Sequence, residues 1–174
     1  SHAEADVGTL LSSADVQLRL AYAMPAHDQQ GHALDSRATL IAEAESHLAA
    51  VERQQPGLAC TAEFRGFACM LKGDHRGAAD AYAAAQRCSD VEQEQRDVLV
   101  FNEARMLARS GNGAQALAVF GRNATALDAR FGHQRAIEEA GILRELNRHA
   151  EAEQRLEAVV QDGSAAPMAW LQAG

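Results

Sequence analysis

Three positions recur down this chain in one register, and they fix how its helices can pair. A small residue, a second small residue twelve further on and a bulky one four beyond that appear as Gly66, Ala78 and Tyr82, as Ala104, Ala116 and Phe120, and as Ala140, Ala152 and Leu156. Seven residues after each first small residue stands a tight-turn pair, Gly73-Asp74, Gly111-Asn112 and Asn147-Arg148. Two helices approach closely only where the contact residue is small, so the pattern predicts antiparallel hairpins with one crossing point each. The second-helix alanines are spaced 34 (Ala44 to Ala78), 38 (Ala78 to Ala116) and 36 residues (Ala116 to Ala152) apart, and periods of this size mark stacked helical units. Alanine is abundant here, but the turn pairs and the bulky residues keep the same phase as the alanines, which abundance alone does not explain.

These residues resemble the tetratricopeptide repeat (TPR) family, whose unit is a pair of antiparallel helices with small residues at the crossing. The match is good in the unit holding Gly66, Gly73-Asp74, Ala78, Tyr82 and Ala85 and partial elsewhere. Where the family has a large aromatic early in the first helix this chain has Ala62, Val100 and Ala136, and where it has Leu before the small residue this chain has Arg65, Glu103 and Glu139. The resemblance runs from about Leu20 to the end. It implies an all-α, right-handed superhelical solenoid of antiparallel helix pairs, about four hairpins with a C-terminal stub, in a single domain over 1–174. The expected units are an atypical first hairpin with an inserted loop (1–56), repeats over 57–90, 95–128 and 133–162, and a partial or capping helix over 163–174.

The two ends depart from the pattern. Val16, Leu18, Leu20, Ala21 and Met24 form an apolar run stopped by Pro25, and an insertion of about eleven residues separates it from a long helix capped by Asp35-Ser36 and ended by Pro56. At the other end Trp170 and Gly174 fall where a fifth first helix carries its Trp and its small residue, with Ser164 as cap and Pro167 at the start. That stub reads either as the edge of a fragment of a longer array or as a helix covering the last apolar face. Ser1-His2 reads as the scar of a cleaved tag.

Charge and motif content narrow the function. A net charge of −8, with Lys72 the sole lysine, opposes nucleic-acid binding, which needs clustered cations. No run approaches the roughly 20 consecutive apolar residues of a membrane span, and no signal-peptide pattern is present, so a cytoplasmic protein is expected, a removed leader or anchor aside. Cys60, Cys69 and Cys88 have no C-x-x-C spacing and are expected as free, mostly buried thiols. His27, Asp28 and His32 in the inserted loop are the best candidates for chemistry, but their spacing fits no standard metal pattern. No nucleotide-binding or hydrolase motif is present. The chain is therefore expected not to be an enzyme and to need no metal or cofactor. Asn123-Ala124-Thr125 spells a glycosylation acceptor near a helix end and is discounted.

What remains is recognition of a protein or peptide. In the family the first helices line a concave groove, which the resemblance assigns here to Phe64, Phe67, Phe101, Asn102, Arg105, Arg109, Glu138 and Arg144. Aromatics would supply contact area and charges would set register; packing between repeats is an equally good reading of Phe64 and Phe67. Arg105 and Arg109, four apart, form a cationic stripe with Glu103 as the nearest expected partner. Relatives that bind acidic chaperone tails use a Lys/Asn/Arg clamp; here only Asn102 fits, while Glu63, Phe67, Gln134 and Glu138 take other clamp positions, so such a tail is not the expected ligand. The competing expectation is a regulatory or self-association module cut from a larger helical-repeat regulator, with the groove or the Trp170 end forming a homo-oligomer.

Overall fold

Asp6 starts the first helix. Its carboxylate accepts hydrogen bonds from the Thr9 backbone N–H at 2.9 Å and the Thr9 hydroxyl at 2.8 Å, satisfying one of the free donors of the first turn. A computed structural model describes residues 5–27 and 34–161 of the chain. Eight helices lie among the described residues, with no β-strand: α1 (Val7–Ala23), α2 (Asp35–Gln54), α3 (Ala59–Leu71), α4 (His75–Ala85), α5 (Gln93–Arg109), α6 (Gly113–Arg122), α7 (Ala124–Glu145) and α8 (His149–Gln161). None of them is long and apolar enough to cross a membrane.

The chain gathers into two compact units, Ser1–Glu92 and Gln93–Gly174. In the first, α1 packs on α2 and α3 on α4, and α3 also touches α1 and α2. In the second, α5 packs on α6 and α7 on α8, and α7 also touches α5 and α6. Each unit thus holds two hairpins, the later one docked by its first helix onto both helices of the earlier.

The turn pairs do the same work three times. Gly73, Gly111 and Asn147 have φ of 79°, 81° and 60°, the left-handed region that an L side chain with a Cβ resists. At each one, that residue's N–H bonds back three residues (Gly73 to Met70, Gly111 to Ala108, Asn147 to Arg144). The next N–H bonds back five (Asp74 to Cys69, Asn112 to Leu107, Arg148 to Leu143), all at 2.8–3.1 Å. This is the Schellman closure of a helix end, and it reverses the chain within three residues so that the second helix runs back along the first. Asp74 then caps α4 by accepting from the Gly77 N–H at 2.8 Å.

Packing follows the small residues. Ala21, Ala44, Ala78, Ala104 and Ala116 have no exposed surface, and Ala140 and Ala152 have 2%. Opposite them Tyr82 and Phe120 are buried, while Leu156 is partly buried against Ala140, Leu143 and Ala152. In the first unit Ala14, Leu18 and Ala21 of α1, Ile41, Ala44 and Leu48 of α2, and Ala68 and Leu71 of α3 make one continuous core.

Several expectations shift. α1 begins at Val7, upstream of the apolar run, and its buried stripe is Leu10, Ala14, Leu18 and Ala21; Val16 and Leu20 face outward and are more than half exposed. Asp35 is the first residue of α2 and not its cap, placing its charge where the helix dipole favours it. α6 ends at Arg122 and α7 starts at Ala124, nine residues ahead of the expected 133, because the stretch from Ala124 to Gln134 is rich in helix formers and contributes the buried Leu127 and the core-packed Phe131. Asn123 joins these two helices alone, its side-chain amide donating to the Val119 carbonyl at 2.8 Å. Leu58 gives α3 no side-chain cap; Asp90, 31 residues away, accepts from the Ala59 N–H with both oxygens at 3.1 Å. The stub over 163–174, Ser1-His2, Asp28 and His32 lie outside the described residues.

A Cβ built on Gly66 would lie 2.8–3.0 Å from three ring atoms of Tyr82. Because that ring is itself buried, Gly66→Ala should destabilise the first unit by about 1–3 kcal/mol despite its better helix propensity. Urea unfolding of the single mutant and of the double mutant with Tyr82→Leu checks this: the second change is expected to recover part of the loss.

Candidate functional site

In the first unit the surface shared by α1 and α3 is aromatic. Tyr22 is 66% exposed and its ring centroid lies 5.8 Å from that of Phe67, tilted by 53°. Phe64, Phe67 and Met70 are half-buried, packed from α3 against the core shared by α1 and α2. They hold hairpin to hairpin, as one reading of the sequence had it, while Tyr22 stands beside Phe67 with most of its ring in solvent. Tyr22, Val16 and Leu20 were not among the expected contact residues; the signal for Tyr22 was its place next to the buried Ala21.

In the second unit the counterpart surface, on α5 and α7, is ionic over an aromatic base. Phe101 is 3% exposed, stacked on Phe131 of α7 with centroids 4.5 Å apart and tilted against Phe120 of α6 at 5.6 Å. It therefore belongs to the core and offers no side-chain surface to a partner. The Arg105 guanidinium lies 5.9 Å from the Phe101 ring centroid, within cation–π range. Its Nε is 2.8 Å from Glu138 Oε1 across the α5–α7 junction. The N–H is not aligned with the oxygen, so this is an ion pair without a well-formed hydrogen bond. Arg105 is thus paired with Glu138 and not left as a free cation. Asn102 is half-buried beside it. Arg109 is exposed at the end of α5, and Arg144 is exposed near the end of α7.

The second unit also contains a buried charge network that the sequence analysis missed. Arg135 (7% exposed) and Glu139 (2% exposed) lie one turn apart on α7 and meet at 2.5 Å. Asp128 accepts from Arg135 Nε at 2.8 Å, and Arg155 of α8 places its Nε 3.1 Å from Glu139 Oε2. Two carboxylates and two guanidiniums leave the cluster neutral, the condition for burying charge at tolerable cost. A signal was there: Glu139 occupies the position where the repeat pattern wants Leu, and Arg135 stands four residues before it. The charged residues at the other two such positions find no comparable burial; Arg65 is exposed and pairs with Glu52 at 3.2 Å.

The three thiols are half-buried, less than the sequence suggested. Burial raises the pKa of each; the Asp90 carboxylate adds to this for Cys60 and Cys88, and for Cys69 the cation of Lys72 partly offsets it. Among the described residues no group of three or more His, Cys, Asp or Glu side chains could hold a metal ion.

Comparison of the chain with protein-family models, with curated proteins and with solved structures finds no match.

Removing Glu139 leaves Arg135 buried with the half-exposed Asp128 as its one remaining partner in this cluster. Glu139→Ala should therefore cost about 1.5–3 kcal/mol, whereas Arg135→Met with Glu139→Leu should recover most of that loss; a double-mutant cycle by denaturant unfolding measures both. Thiolate is the attacking species, and a raised pKa shrinks its share near neutral pH. Iodoacetamide should accordingly alkylate all three cysteines more slowly in the folded chain than in the urea-unfolded chain, with folded rates still rising above pH 9; mass spectrometry of timed digests reads this out.

Proposed function

We propose that the chain is a non-catalytic scaffold of the tetratricopeptide type, with that family's right-handed superhelical stacking, and that it binds a protein or extended peptide through the faces of its first helices. The observation that carries this reading is the α1–α3 surface of the first unit. There Tyr22 stands two-thirds exposed against Phe67. An exposed aromatic resting on a packed one offers a rigid apolar anchor at little entropic cost, the kind of residue that dominates binding energy. In the second unit, exposed Arg109 is the cation available to a partner's carboxylate, since Arg105 is already engaged by Glu138.

The repeated Schellman turns, the small-residue crossings and the docking, within each unit, of α3 onto α1 and α2 and of α7 onto α5 and α6 support the repeat type. The net charge of −8 supports a protein partner over a nucleic acid.

A peptide array probed with the purified chain tests the proposal. Peptides retained by the unaltered chain should be lost, or weakened by about tenfold, on Tyr22→Ala or Arg109→Glu, while helicity by circular dichroism stays the same. Retention unchanged by both substitutions, or no retention at all, would overturn it. Light scattering over a concentration series accompanies the array, and an assembly that Tyr22→Ala dissolves would identify a second copy as the partner.

A further inference from the structure

Glu139 has one oxygen that the charge network engages only through a misaligned ion pair. Its Oε1 accepts from Arg135 at 2.5 Å, but Oε2 is buried and has no aligned hydrogen-bond donor, because Arg155 Nε, although 3.1 Å away, does not direct its N–H at it. A buried carboxylate oxygen left without a hydrogen bond is costly. Glu139 lines a cavity of about 430 Å³ bounded by α6, α7 and α8, far larger than one water needs, and Arg155, which covers Oε2, lines it too. Aliphatic side chains from all three helices share the lining, Leu117 of α6, Leu143 one turn from Glu139 on α7 and Ala158 of α8, with Gln154 of α8 beside them. At the edge, Arg148 and Glu151 are closed on each other by bonds of 2.7 and 2.6 Å. They leave Glu139 as the buried acceptor.

We infer that this cavity binds a primary alkylammonium group, either a lysine side chain or a free aliphatic amine, with the nitrogen donating to Glu139 Oε2 and the methylenes lying along Leu117, Leu143 and Ala158. A compact cation suits the site better than a guanidinium. Oε1 is already taken by Arg135, so only one oxygen is open, and a planar fork has no second acceptor to match. Arg155 is the built-in competitor. Its side chain is 52% exposed and its contact with Oε2 is poorly aligned, so an incoming ammonium that forms an aligned, charge-assisted bond replaces its charge beside the buried carboxylate and frees it into solvent. The aliphatic wall takes the methylene stem, the usual division of labour along a lysine side chain. This site is separate from the first-helix surfaces proposed above and does not rest on them.

Gly121 gives a clean way to close the cavity. It lines the same space on α6 and is exposed, and a Cβ added there meets nothing within 4 Å, so a leucine there fits without a clash and has the cavity mouth within its reach. The test is an NMR titration of the whole chain with n-butylamine, with Nα-acetyl-lysine amide, and with uncharged Nα-acetyl-norleucine amide as control. Saturable shifts of the Leu143 and Ala158 amides are expected with both amines and not with the control. Affinity should fall by about tenfold or more in Gly121→Leu and Glu139→Gln, and should rise in Arg155→Ala, where the competitor is gone. Equal binding by the two amines would mark a free-amine ligand, and tighter binding of the lysine amide a protein side chain. The assignment is overturned if the unaltered chain shows no saturable shifts, if the norleucine control binds equally, or if Gly121→Leu keeps full affinity with its helicity intact. Should Glu139→Gln fail to fold, Gly121→Leu and Arg155→Ala still decide the question.

Discussion

Close contact between the two helices of each hairpin is the constraint on which the rest depends. A Cβ on Gly66 would fall within 3.0 Å of the Tyr82 ring, closer than a side chain can sit, and alanines with 2% exposure or less play the corresponding part in the other hairpins. In the three hairpins from α3 to α8 the bulky residue one turn beyond packs against the crossing, the connecting turn is three residues long, and the chain reverses through a left-handed residue. The sequence periodicity is the outward sign of this steric requirement.

That is why the hairpins were legible and other features were not. Small residues, turn pairs and bulky residues recur because local geometry demands them, and Gly73, Gly111 and Asn147 take up the left-handed backbone that their offset implies. Helix starts depend on weaker preferences. α7 reaches back to Ala124 because Ala124–Gln134 holds no proline, its alanines offset Gly132, and Phe131 gains a partner in Phe101, a contact between residues 30 apart that no local pattern announces. The first-helix faces suffered most. Phe101 was assigned to a surface and is buried; Arg105 was expected near Glu103 and is paired with Glu138 of the next hairpin. Where a side chain on a helix points is partly written in its spacing, but which neighbour covers it is decided by tertiary packing.

The two units solve the same problem with different chemistry. In the first, α1 and α3 meet through Tyr22, Phe64, Phe67 and Met70, so their junction is apolar and its outer edge remains so. In the second, α5 and α7 meet through stacked rings roofed by an ion pair, and α7 meets α8 beside buried charges. Apolar contact tolerates sliding and repacking. Paired buried charges do not, because a displaced partner leaves its counterpart exposed to a low-dielectric surrounding. The second unit is thereby the more exacting in its register, and the first the more permissive in what it can accept on its surface.

Asn123 separates α6 from α7 as a single residue, in contrast to the three-residue reversals inside the hairpins. Its amide is tied to the Val119 carbonyl in the last turn of α6. With one pair of backbone torsions between two helices, α7 has almost no slack with respect to α6: a twist or tilt imposed on its 22 residues is delivered as torque to the end of α6. The later hairpin of this unit is geared to the earlier one, so a load on α7 becomes a rotation of its neighbour and is not absorbed in a loop.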